Sequence, residues 1–120
     1  MAGKGFAGGK TKEDKMQKIK MKTEGQTLRV SLACELDHHS AKAIREKVDK
    51  RLEEGGVRRL VLDFSGVGFM DSSGIGLIIG RADKAQSIGA EVEVAGLLPQ
   101  LKKIVRLSGI SKLPNLTVSD

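Results

Sequence analysis

The chain has 120 residues, with 21 Lys and Arg against 15 Asp and Glu, for a formal net charge of +6. That length holds one domain around one core. The absence of Trp and Tyr, with only three Phe, leaves an aliphatic core and removes the stacking platforms of a single-strand nucleic-acid binder. No apolar run approaches the roughly 18 residues of a membrane span, and no hydrophobic leader core follows Met1. A cytoplasmic protein with no membrane and no direct nucleic-acid partner is expected.

The charge is unevenly placed. Residues 1–22 carry seven Lys against Glu13 and Asp14, while the remainder is nearly neutral. Residues 1–15, rich in Gly and Lys, are expected to form a disordered basic arm, leaving 16–120 as the folded domain. Within that domain, Ile19, Met21 and Thr23 alternate as a strand, and Glu24-Gly25 turns the chain. Thr27 to Ala33 follows as a second strand with Leu28, Val30 and Leu32 on one face. So short a connection requires antiparallel pairing. Cys34, the single cysteine, excludes an internal disulfide and reads as a small buried apolar residue in a reducing compartment.

Ser40 is predicted to open the first helix, with Ala41, Ile44, Val48 and Leu52 as its buried stripe and the glycines at 55 and 56 as its stop. Val57 to Phe64 reads as a third strand. A second helix starts near Ser73 and ends before Gly89, burying Ile75, Ile78, Ile79, Ala82 and Ala85. Glu91 to Ala95 is the fourth strand. Pro99 sits at a first-turn position and opens a third helix, which buries Leu101, Ile104 and Val105 and ends at Gly109. Leu113 to Val118 closes the domain as a short strand. This alternation predicts an α/β domain with a mixed, mostly parallel sheet and helices packed on it.

Asp71-Ser72-Ser73-Gly74 stands where the third strand gives way to the second helix. Any of Asp71, Ser72 or Ser73 can cap that helix by accepting from an unpaired N–H. The same position favours an added phosphate, because the helix dipole is positive there. Gly66, Gly68, Gly74 and Gly76 surround the serines, and admit either a tight loop or a flat surface open to another protein.

Catalysis finds little support. Asp37, His38, His39 and Ser72 include the residue types of a hydrolytic triad, but no G-x-S-x-G surrounds either serine. Adjacent histidines, read as a solvated loop, make a poor metal site, and Gly74 with Gly76 forms no phosphate-cradling loop. No cofactor, metal or catalytic residue is expected.

Three stretches carry a family likeness. Phe69-Met70-Asp71-Ser72-Ser73-Gly74 with Ile79-Gly80-Arg81 resembles the phosphorylation segment of bacterial anti-sigma factor antagonists. Glu35-Leu36-Asp37-His38-His39 is similar to the turn before their first helix, and Leu107-Ser108-Gly109-Ile110 to the end of their last shared one. The resemblance implies a single STAS-like domain acting in partner switching. The unphosphorylated form would bind an anti-sigma factor that is also a serine protein kinase, and so free the sigma factor. Phosphorylation on Ser72 would end that binding, and a PP2C-type phosphatase would restore it. Asp37, Asp71, Ser72, Ser73 and Gly74 would form the partner-binding surface. The alternative is a constitutive scaffold or sensory module in which Asp71-Ser72-Ser73 only caps a helix. Unlike many relatives, the sequence shows no helix after the last strand, and its basic arm is additional.

Overall fold

The computed structural model describes residues 18–119. The expectation of a disordered arm at 1–15 lies outside the described residues.

Alternation of apolar and polar side chains produces β1 (Ile19–Glu24) and β2 (Thr27–Leu32). They pair antiparallel from Ile19 with Leu32 to Glu24 with Thr27. From there strand and helix alternate: α1 (His38–Glu53), β3 (Arg59–Asp63), α2 (Ser72–Ser87), β4 (Glu91–Ala95), α3 (Pro99–Leu107) and β5 (Leu116–Val118). The sheet order is β1-β2-β3-β4-β5, with β2 to β5 parallel. Adding parallel strands always on one side through right-handed crossovers places α1, α2 and α3 on a single face.

That face holds the core. Leu28, Val30 and Leu32 of β2, Leu60 and Leu62 of β3, and Val92 and Val94 of β4 meet Ile44, Val48 and Leu52 of α1, Leu77 and Ile78 of α2, and Leu101 and Val105 of α3. On the opposite face Arg29 pairs with Asp63 at 3.0 Å and Arg59 pairs with Glu93, and Val61 lies buried in the strand between them. One face is thus apolar and covered, the other polar and open.

Several boundaries and faces differ from the sequence-based expectations. The first helix begins at His38 instead of Ser40, because Asp37 is its N-cap and Ser40 its third residue. His38 and His39 therefore lie in the first helical turn and not on a loop. Ala41 is half-buried at the margin of its stripe. In α2, Ile79 is 41% exposed and Ile75 half-buried, while Gly74, Leu77 and Arg81 face inward. Ile104 of α3 is 45% exposed, the buried edge being Leu101 and Val105. Each helix packs through a narrow stripe, because the sheet beneath it is only a few strands wide. Cys34 is half-buried instead of fully inside. A 3-10 turn at Ile110–Lys112 occupies the approach to the last strand, which shortens to three residues.

Candidate functional site

Two loops meet at the ends of β2 and β3. A parallel bridge joins Leu36 to Met70. The Leu36 N–H donates to the Phe69 carbonyl at 2.9 Å, and the Asp71 N–H donates to the Leu36 carbonyl at 3.1 Å. Because these residues pair in parallel, the next ones along, Asp37 and Asp71, stand side by side as the N-caps of α1 and α2. Two positive helix ends are thereby brought together on one rim of the sheet. In open α/β sheets this rim, beyond the carboxyl ends of the parallel strands, is where ligands and partners meet the fold.

Each cap is made by its aspartate. Asp37 accepts from the Ser40 N–H at 2.9 Å, and the Asp37 N–H donates to Ser40 Oγ at 3.0 Å, closing a capping box. The backbone N–H of Ser40 is the main reason the Asp37 carboxyl is held below the usual carboxylate range. Asp71 accepts from the Ser73 N–H at 2.8 Å. Of the three cap candidates in the sequence, the aspartate takes the role and leaves both hydroxyls out of it. Ser72 is the first residue of α2; it is exposed, and its hydroxyl makes no hydrogen bond with any described residue. Ser73 is half-buried.

The glycines divide by function. A Cβ on Gly74 would overlap Met70, and one on Gly66 would lie 2.6 Å from the Leu32 carbonyl oxygen. Gly68 and Gly76 face open space. The first pair is required by the tight junction of the two loops, while the second keeps the surface beside the serines bare.

That surface is not flat. A groove of about 450 Å³ runs between α1 and α2, past Ser73. A second, of about 820 Å³, lies on the other side of the α1 N-terminus, against Cys34, Asp37, Gly68 and Phe69. Burial is the largest influence on the Cys34 thiol and raises its pKa, with Lys18 opposing. Phe69 is 50% exposed, and Ile79, two helical turns beyond Ser72, is also open. These two apolar side chains bracket the serine. Helical periodicity assigns Ile79 to the core and so hides the bracket; its trace in the sequence is the surplus of isoleucines, more than one stripe can bury.

His38 and His39 contact edge to face, with ring centroids 5.9 Å apart. Neither is hydrogen-bonded to Ser72. Among the described residues no group of three or more His, Cys, Asp or Glu could hold a metal ion, and no helix is long and apolar enough to cross a membrane.

A single five-stranded sheet covered by helices on one face, with a glycine-lined helix entrance on its rim, makes a two-layer α/β domain. The chain belongs to the STAS domain family, whose model matches residues 18–119. It is 33% identical over 95 residues to an anti-sigma F factor antagonist of Paenibacillus polymyxa, spanning 79% of this chain and 81% of that one. Among solved structures it is similar to the anti-sigma factor antagonist SpoIIAA in its unphosphorylated form, with TM-score 0.68 and 25% identity over 85% of this chain and 87% of that one. It is likewise similar to the Bacillus cell fate determinant SpoIIAA in the phosphorylated form, with TM-score 0.67 and 27% identity over 85% and 91% of the two chains.

Proposed function

We propose that this chain is an anti-sigma factor antagonist, a regulatory protein and not an enzyme, whose Ser72 carries the switch. The unphosphorylated form binds an anti-sigma factor with serine kinase activity; phosphorylation of Ser72 by that kinase ends binding, and a PP2C-type phosphatase reverses it. The observation that carries this reading is the Ser72 hydroxyl, exposed and unbonded at a helix entrance already capped by Asp71. The hydroxyl is free to be modified because the fold does not use it. The similarity to an anti-sigma F factor antagonist and to both forms of SpoIIAA points the same way.

The physics of the switch is local. A phosphoryl group adds about −1.5 to −2 charges at neutral pH. The α2 N-terminus tolerates that charge, so the fold survives. Asp37 and Asp71 on the same rim add to it. A partner that buries Phe69, Ile79 and a neutral Ser72 would instead have to desolvate a dianion, at a cost of several kcal/mol. At about 1.4 kcal/mol per tenfold, that dissociates a complex of ordinary affinity.

The test is peptide mass spectrometry after incubation with ATP and an anti-sigma kinase of the same cell. One added phosphate on Ser72, absent in Ser72→Ala, is the expected result. Ser72→Asp should weaken kinase binding at least tenfold with an unchanged circular-dichroism spectrum. Failure of every such kinase to modify the chain would leave Ser72 as a helix residue of a constitutive binding module.

A further inference from the structure

The groove between α1 and α2 holds a charge the fold does not balance. Arg81, only 5% exposed, forms part of its wall. Its Nε lies 2.9 Å from Asp49 Oδ1, an ion pair whose alignment makes no hydrogen bond. Its Nη1 is buried with no acceptor at all among the described residues. A buried donor without a partner is costly, and the groove is where an acceptor could enter.

The surrounding charges have the matching sign. Lys42 and Arg45 line the same groove, both are exposed, and neither forms an ion pair with a described residue. No acidic side chain lines the groove with these three cations, and Asp49, paired with Arg81, offsets one of them, leaving an excess of positive charge. Burial is the main force lowering the pKa of the Arg81 guanidinium; Asp49 opposes it and Arg45 adds to it. The two guanidinium groups are therefore close enough to repel each other. Gly76 and Gly80 present bare helix along the same wall, and Ser73 adds a hydroxyl.

We propose that the α1–α2 groove is a binding site for a phosphoryl oxyanion, held by Arg81, Arg45 and Lys42. A tetrahedral dianion supplies acceptors for two guanidinium forks and an ammonium at once, and neutralises the excess. The group comes either from a soluble phosphate compound or from the phosphoryl ester of the adjoining serine segment. The soluble source is independent of the proposed function, whereas the ester source rests on it.

The experiment is a titration of the isotope-labelled full chain with inorganic phosphate, followed by amide shifts at constant ionic strength against chloride. Saturable shifts centred on Gly76 and Gly80 are expected. The Lys42→Gln/Arg45→Gln variant should weaken binding at least tenfold without loss of Tm, since both side chains are exposed. Arg81 itself is left intact, because removing it would strand the half-buried Asp49 carboxylate. A control that removes equal charge elsewhere, Lys50→Gln/Lys103→Gln, should bind as wild type. Non-saturating shifts, equal weakening in the two variants, or equal affinity for acetate would each overturn the proposal. A chain carrying phosphoserine at position 72, installed during synthesis, separates the sources. Loss of free-phosphate binding there identifies the ester as occupant, and unchanged binding identifies a soluble compound.

Discussion

A Cβ on Gly66 would press against the Leu32 carbonyl and the Ala33 backbone, neither of which can move aside, whereas one on Gly76 would meet open space. Gly66→Ala should therefore cost about 1–3 kcal/mol, and Gly76→Ala should gain up to about 1 kcal/mol through helix propensity. Denaturant midpoints will separate the two, and equal effects would show that the loop junction is not tight. Asp37 gives a second residue-level prediction. Its carboxyl, held low chiefly by the Ser40 N–H, stabilises the fold fully above its unfolded value of about 3.9. That contribution is lost as pH falls through the lower folded value. Asp37→Asn keeps a good cap without the titrating charge. Its Tm should fall less steeply than that of wild type below about pH 4; parallel curves would remove Asp37 from the acid response.

At the scale of whole elements, the helices show where sequence periodicity succeeds and where it stops. Ile44, Val48 and Leu52 lie buried as their spacing requires, and β4 runs from Glu91 to Ala95 as the alternation predicts. Pro99 and Gly109 bound α3 for local reasons that operate before any packing. Periodicity cannot say how wide the buried stripe is, and so it counts Ile79 and Ile104 toward a core that leaves them exposed. Nor could it foresee the Leu36–Met70 bridge, a contact between residues 34 positions apart, or the position of Arg81 against Asp49. The serine segment was legible in composition, while the assignment of its cap to Asp71 needed coordinates. Ile79→Lys should accordingly leave thermal stability nearly unchanged and weaken kinase binding tenfold or more. A large drop in Tm instead would return Ile79 to the core.

Across the molecule, the single covered face explains the placement of charge. The bare face of the sheet carries Arg29–Asp63 and Arg59–Glu93 in ladder positions around Val61. Such partly exposed pairs contribute little each. A double-mutant cycle on Arg59 and Glu93 should give a coupling below about 1 kcal/mol that shrinks further in concentrated salt. A larger, salt-insensitive coupling would mean that this face is shielded from solvent.

The order β1 to β5 has one more result. Each of α1, α2 and α3 starts on the rim that carries Ser72 and finishes on the opposite rim, where the β1–β2 turn at Gly25 and the helix exit at Gly89 both adopt positive φ with free space around them. Those turns are natural attachment points. A fluorophore, affinity tag or surface tether placed there would hold the domain from behind, with the rim that carries Ser72 facing outward and unencumbered.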